Sequence, residues 1–198
     1  MLRLVVLLGL VFSLVTHLSA QSSFLVTYKP KYDIAMKQPT EQIKELISEI
    51  DKQQLSGNEL SMAKVVSGSL YAKLADLEFL FWDKLAHVQK GVELMRTGMS
   101  ELEGKSFADS DALVLHLIRG ITSGYIPTTF QPRSVSLHEL ETAIVANGFT
   151  TLDKHTVSEA YALLSKGYKE TGDAGKSDDF KARSTRIDSE TYEAVMRR

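Results

Sequence analysis

Two arginines set around a proline-bounded aromatic loop are the polar feature of this sequence best suited to recognition chemistry. Arg119 precedes and Arg133 follows the segment Pro127-Thr-Thr-Phe130-Gln-Pro132, with Tyr125 just ahead of it. A guanidinium is a planar fork that holds a carboxylate by paired hydrogen bonds, so two of them beside aromatic rings suit an acidic group. The competing role is structural, with Arg119 satisfying loop carbonyls or an internal carboxylate such as Asp111 or Glu141. Arg119, Tyr125, Phe130 and Arg133 are the expected binding residues.

Other spacings promise chemistry and do not deliver it. Ser61-Met-Ala-Lys64 has the separation of a serine nucleophile and a lysine base, but the companion motifs of that chemistry are missing. Gly172-Asp-Ala-Gly-Lys176-Ser177 ends like a phosphate-binding loop, yet two residues separate its glycines where four are needed, and a helix rather than a strand precedes it. His87, His116, His138 and His155 never fall at the four-residue spacing that puts two imidazoles on one helix face for a metal. Glu139 and Glu141 point to different sides of a helix, so they make no acid and base couple. Catalysis, a metal and a cofactor are not expected.

The elements that must position these residues read as helices. Thr40 opens one whose face carries Ile43, Leu46, Ile47 and Ile50. The next runs from about Asn58 to Leu77, and a third from Trp82 carries Leu85, Val88, Val92, Met95, Met99 and Leu102, a stripe of nearly six turns that faces a neighbouring helix. A short connection makes these two antiparallel. A fourth helix follows the caps Asp109-Ser110 and ends at Pro127; its Gly120 and Gly124 imply that another backbone approaches closely. Ser136 with Glu139, and Thr156 with Glu159, have the spacing of capping boxes that open two further helices, the first closed by Asn147-Gly148 and the second by Gly172-Asp173. Ahead of all these lies an extended arm, in which Lys29-Pro30 and Gln38-Pro39 bracket an extended stretch and a short strand-like run, Phe24 to Tyr28, precedes it. At the other end, thinly spaced Ile187, Tyr192 and Val195 predict a frayed or partner-dependent tail, partly helical.

The first residues have the form of a secretory leader: Arg3, an apolar run from Leu4 to Val15, then small and polar residues up to Ala20, after which cleavage is expected. The apolar run is shorter than the roughly 20 residues that span a bilayer, so no stable membrane anchor is expected once the leader is removed. The chain has 198 residues and no cysteine, so stability must come from packing rather than disulfides. A formal charge of −2 offers no basic footprint for nucleic acid.

Ser158 to Ser184 resembles a tetratricopeptide repeat. Tyr161, Leu164 and Tyr168 match its first helix, Gly172-Asp173 its turn and Ser177 the small position of its second helix, while Ser165 and Ser184 depart from its glycine and alanine and its closing proline is missing. Ser61 to Leu94 resembles a second, weaker unit through Gly68 and Tyr71. The stretch from Leu117 to Arg133 looks like a pattern found in uncharacterised exported bacterial proteins with tetratricopeptide-like repeats. These resemblances imply an all-α fold of antiparallel helix pairs, packed as a short right-handed superhelical array or an irregular bundle.

The expected organisation is therefore a leader (1–20), an extended arm (21–39), a tetratricopeptide-like helical domain (40–184) and a C-terminal tail (185–198). The expected function is a non-catalytic binding or assembly module outside the cytoplasm, periplasmic or secreted, for a protein or peptide partner. A small-molecule-binding accessory, for instance to an uptake system, is the first alternative. An enzyme whose site spacing does not reveal is the second.

Overall fold

The computed structural model describes residues 21–37 and 40–198, and among them the regular structure is entirely helical. The predicted leader and the Gln38-Pro39 pair lie outside the described residues. Among the described residues nine α-helices follow in order: α1 (Ser23–Ala35), α2 (Thr40–Asp51), α3 (Gly57–Leu77), α4 (Phe81–Leu102), α5 (Asp109–Tyr125), α6 (Arg133–Val145), α7 (Lys154–Thr171), α8 (Ala174–Ile187) and α9 (Ser189–Met196), with one 3-10 turn at Phe149–Thr151. The all-α class expected from periodicity is thus observed.

Two cores form, and α5 serves both. Leu115 and Ile118 on one side of α5 join α1, α2 and α3 around Leu25, Ile43, Val66 and Leu70. Leu113 and Leu117, on another side, join α6 to α9 around Leu140, Phe149, Leu164 and Tyr192. A helix presents different faces at one-residue and two-residue steps, so a single element can bridge two layers in this way. By contrast, α4 packs almost wholly on α3, giving Leu102 to the first core and Met95 to a small cluster with Ala72 and Ile126. Its predicted stripe is buried at Met95 and Leu102 and only half-buried at Leu85, Val88, Val92 and Met99.

The expected N-terminal arm is a helix, not an extended segment. Phe24, Leu25, Tyr28, Tyr32 and Ala35 fall on one face of α1 and are buried, a helical spacing that outweighs the extended bias set by Lys29-Pro30. Pro30 sits on the solvent side inside the helix, where it removes one backbone hydrogen bond, a defect worth about 3 kcal/mol that the buried face offsets. Tyr32 strengthens the docking: its hydroxyl lies 2.7 Å from Ser69 Oγ, which lies 2.6 Å from Thr122 Oγ1, a chain joining α1, α3 and α5. Burial pushes the Tyr32 phenol up to about 12.

The C-terminal tail also departs from expectation. Asp188 caps α9 through the Glu190 and Thr191 N–H groups at 3.0 and 3.1 Å, and Thr191, Tyr192 and Val195 are buried against α7 and α8. Three well-placed anchors in eight residues suffice where overall apolar content is thin.

Neither expected capping box forms. Pro132 stands at the start of α6, so Ser136 lies in its second turn and donates to the Gly120 carbonyl at 2.8 Å. Asp153 caps α7, accepting the Thr156 N–H at 3.0 Å, and frees Glu159 to accept a hydrogen bond from the Tyr125 hydroxyl. Ala108, with no side-chain cap, precedes α5 in place of the predicted Asp109-Ser110. The left-handed stop is as expected at Gly172, with φ of 88°, whereas α6 ends at an extended Ala146 and Gly148, with φ of 90°, leads into the 3-10 turn instead.

Candidate functional site

The predicted arginine block is divided among internal partners. Arg119 Nη1 donates to Glu139 Oε1 at 2.6 Å, and the other oxygen of the same carboxylate lies 2.6 Å from His116 Nδ1. Because His116 and Arg119 are three residues apart on α5, both reach the same carboxylate on α6. Glu139 is 3% exposed. Two cationic or donor groups on a buried carboxylate are what such a group needs to remain in the interior. Arg119 thus pairs with an internal carboxylate as the structural alternative expects, but with Glu139 rather than Asp111 or Glu141, and Glu139 caps no helix.

Arg133 takes other partners. Its Nη1 donates to the carbonyls of Gly124 at 2.7 Å and Ser123 at 3.3 Å, while Nε pairs with Glu170 Oε2 at 2.6 Å. The guanidinium therefore closes the end of α5, whose last carbonyls have no intrahelical donors. Gln131 helps, donating to Ser123 Oγ at 2.6 Å. The Tyr125 hydroxyl is held by Glu159, and the Arg198 guanidinium stands over its ring at 5.3 Å. Phe130 is exposed at the loop surface. The two arginines are thus brought to separate carboxylates rather than to one shared clamp.

Two other features of the sequence are also engaged. Ser61 Oγ donates to Glu101 Oε2 at 2.9 Å and Lys64 Nζ pairs with Glu101 Oε1 at 2.5 Å, which fastens α3 to α4; the lysine and a serine hydroxyl hold the Glu101 carboxyl below its ordinary range. The lysine and the serine hydroxyl are both turned onto that carboxylate rather than onto each other. Lys176 stands 4.5 Å from the centre of the Tyr168 ring and donates to its hydroxyl, while Ser177 is buried against Ser165. Among the described residues, no group of three or more histidines, aspartates or glutamates is arranged to hold a metal.

The end of the α3–α4 hairpin is an apolar surface that the chain itself leaves uncovered. The turn carries Leu77, Phe79, Leu80, Phe81 and Trp82, all exposed, with Phe79 at 95% and Trp82 at 74%. Phe81 and Trp82 meet only edge to face, 5.4 Å between centroids. Asp76 and Asp83 bracket the run, and Glu78 within it faces His87 at 3.5 Å. Behind the tip the two helices are sewn together with no room to spare. A Cβ placed on Gly91 would come within 2.6 Å of the Gly68 carbonyl oxygen, and one on Gly98 within 2.5 Å of the Ser61 carbonyl oxygen. Periodicity missed the tip because its apolar residues are consecutive, which reads as a helix boundary rather than as a face.

Beside the hairpin, an open groove of about 420 Å³ runs along α2, walled by Lys44, Lys52, Tyr71 and His87. No described helix is long and apolar enough to cross a membrane. Comparison with family models, curated proteins and solved structures finds no match to this chain.

Proposed function

We propose that this chain is a non-catalytic binding or assembly module working outside the cytoplasm, and that it engages a protein partner with the tip of the α3–α4 hairpin. The observation that carries this reading is the exposed run from Leu77 to Trp82, at the end of a helix pair whose α3 is buried in the first core and whose α4 packs almost wholly on α3. Aromatic side chains exposed together in this way mark an interaction surface. The span from Asp76 to Asp83 holds three carboxylates and no basic residue. That pattern suits a concave apolar pocket with a basic rim; at an anionic lipid surface the same carboxylates are repelled.

Placement outside the cytoplasm rests on the leader-like sequence, from Arg3 to Ala20. A tetratricopeptide-like arrangement is part of the proposal, supported by α7 and α8. There Ser165 and Ser177 exchange hydroxyl-to-carbonyl bonds of 2.8 and 2.9 Å, and Phe180 stacks between Tyr161 and Tyr168. Small and aromatic positions of the repeat meet in just this sense.

The test is a photo-crosslinking residue at Phe81 in the full processed chain, with the captured protein identified by mass spectrometry. One protein should be captured, and Phe79→Ser with Trp82→Ser should abolish capture without moving the melting temperature. Capture that survives those changes but is lost in Arg133→Ala would return the site to the arginine block. Flotation with lipid vesicles that depends on the same two aromatics would replace the protein partner by a membrane.

A further inference from the structure

The first turn of α1 is received by two carboxylates from distant parts of the chain. The Ser22 backbone N–H donates to Asp111 Oδ2 at 2.8 Å, and the Phe24 N–H to Glu59 Oε1 at 3.2 Å. The hydroxyls of Ser22 and Ser23 also reach Glu59 Oε1, at 3.4 and 2.5 Å. These contacts account for Glu59 and for one oxygen of Asp111. They leave the other oxygen unexplained. Asp111 is 1% exposed, and its Oδ1 is buried with no hydrogen-bond partner. Burial raises the Asp111 carboxyl above its ordinary range; only the Ser22 N–H opposes this, and no side-chain cation does. A buried carboxylate with an empty oxygen calls for a cation or a strong donor.

We infer that the missing group is the chain's own α-ammonium, created when the leader is removed after Ala20. Hydrolysis of the Ala20–Gln21 peptide bond consumes one water and leaves a carboxylate on Ala20 and an amine on Gln21. That amine takes up a proton at neutral pH, since its ordinary pKa is about 7.7–8. An uncharged amide with one hydrogen thereby becomes a cation with three donors. The distance is short: one residue spans at most about 3.6 Å of chain, and Ser22 N is already at hydrogen-bond distance from the carboxylate. The new ammonium can take Oδ1 while the Ser22 N–H keeps Oδ2. A positive charge at a helix N-terminus is opposed by the helix dipole, but here two carboxylates face it, Glu59 from α3 and Asp111 from α5, with Asp109 in the same first turn of α5. Docking of α1 is then completed by processing, and an unprocessed chain holds α1 less firmly.

Two processed chains starting at residue 21 test this, one with a free α-amino group and one with that group acetylated, which removes the charge and little else. Both carry Gln21→Ala, because during purification and storage an N-terminal glutamine slowly cyclises onto its own amine with loss of ammonia, which would erase the difference between the two chains. At pH 6 the free-amine chain should melt several degrees higher, and the gap should vanish when Asp111→Asn is introduced. The sign with pH follows from the amine: paired with a carboxylate its folded pKa is raised, so the advantage is present below its ordinary pKa and disappears as pH rises through the folded value. Equal melting of the two chains, or a gap that survives Asp111→Asn, overturns the inference. If Asp111→Asn does not fold, the acylation rate of the α-amine decides: at least tenfold slower than in a peptide of residues 21–30 supports the ion pair, and equal rates overturn it. Sequencing the N-terminus of the exported chain is read separately. A first residue other than Gln21 overturns the processing step, whatever the melting curves show.

Discussion

Along the α3–α4 arm, Gly68, Gly91 and Gly98 bring backbone against backbone, whereas in the body formed by α5, α6 and α7 the space beside Gly120, Gly124 and Gly167 is filled by Leu140, Leu163 and Leu137. The residue type is the same and the mechanical meaning differs. A leucine terminus can rotate away from an added methyl group; a carbonyl oxygen in a facing helix cannot. The arm therefore has one seam with no tolerance, and beyond it little else holds α4. The body is fastened many times over, by the Arg119–Glu139–His116 group, by Arg133 at the end of α5 and by the buried serine pairs of α7 and α8. With the other face of α3 buried in the first core, α4 can stand at the surface without a further covering layer because the two helices approach this closely.

The contrast is broken most directly by Gly91→Leu, which should lose about 3 kcal/mol or more in chemical denaturation, because the facing backbone must move. Gly124→Leu should cost less, since Leu163 and Ser136 side chains are what it meets. Equal losses would show that the arm separates as easily as the body repacks. Next in size, Glu139→Gln should cost about 3 kcal/mol or slightly less, by leaving the largely buried Arg119 with only an uncharged partner. Arg133→Ala should cost about 1–2 kcal/mol, the worth of charge-assisted bonds to two helix-end carbonyls. A melting temperature unchanged by this substitution would free Arg133 for a ligand. Smallest of all, Phe79→Ser and Trp82→Ser should change stability by less than about 0.5 kcal/mol. A large loss there would mean that the tip is packed rather than presented.

Much of this contrast can be read from residues, and part of it cannot. Ile43, Leu46, Ile47 and Ile50 mark α2 because apolar spacing of three and four is a direct image of a buried helical face. The arm's seam is also written in the chain: Ser61 and Gly68 are seven apart on α3, as are Gly91 and Gly98 on α4, a period at which small residues return to one side of a helix. Gly120 and Gly124 drew attention instead because they are only four apart, and spacing within one helix does not say whether backbone or side chain lies opposite. At α1 a proline's local bias is visible in sequence, whereas the buried face that overrides it depends on packing against α2 and α3. For the arginines, the residue types were legible and the partners were not. Glu139 sits three places after Ser136, a spacing equally good for a cap, and only the docking of α6 on α5 turns it inward.

The contact between Ser22 and Asp111 joins residues 89 positions apart, while the turn between α3 and α4 closes over Glu78 to Leu80 alone. Short closures cost little chain entropy and form in microseconds; long ones wait until the intervening chain is ordered. In refolding kinetics, substitutions along the glycine seam should therefore slow folding, and those at Asp111 should mainly speed unfolding, as stopped-flow measurements on both would show. The arm that carries the tip is then among the first parts of the molecule to exist, and the N-terminus is among the last to be fastened to it.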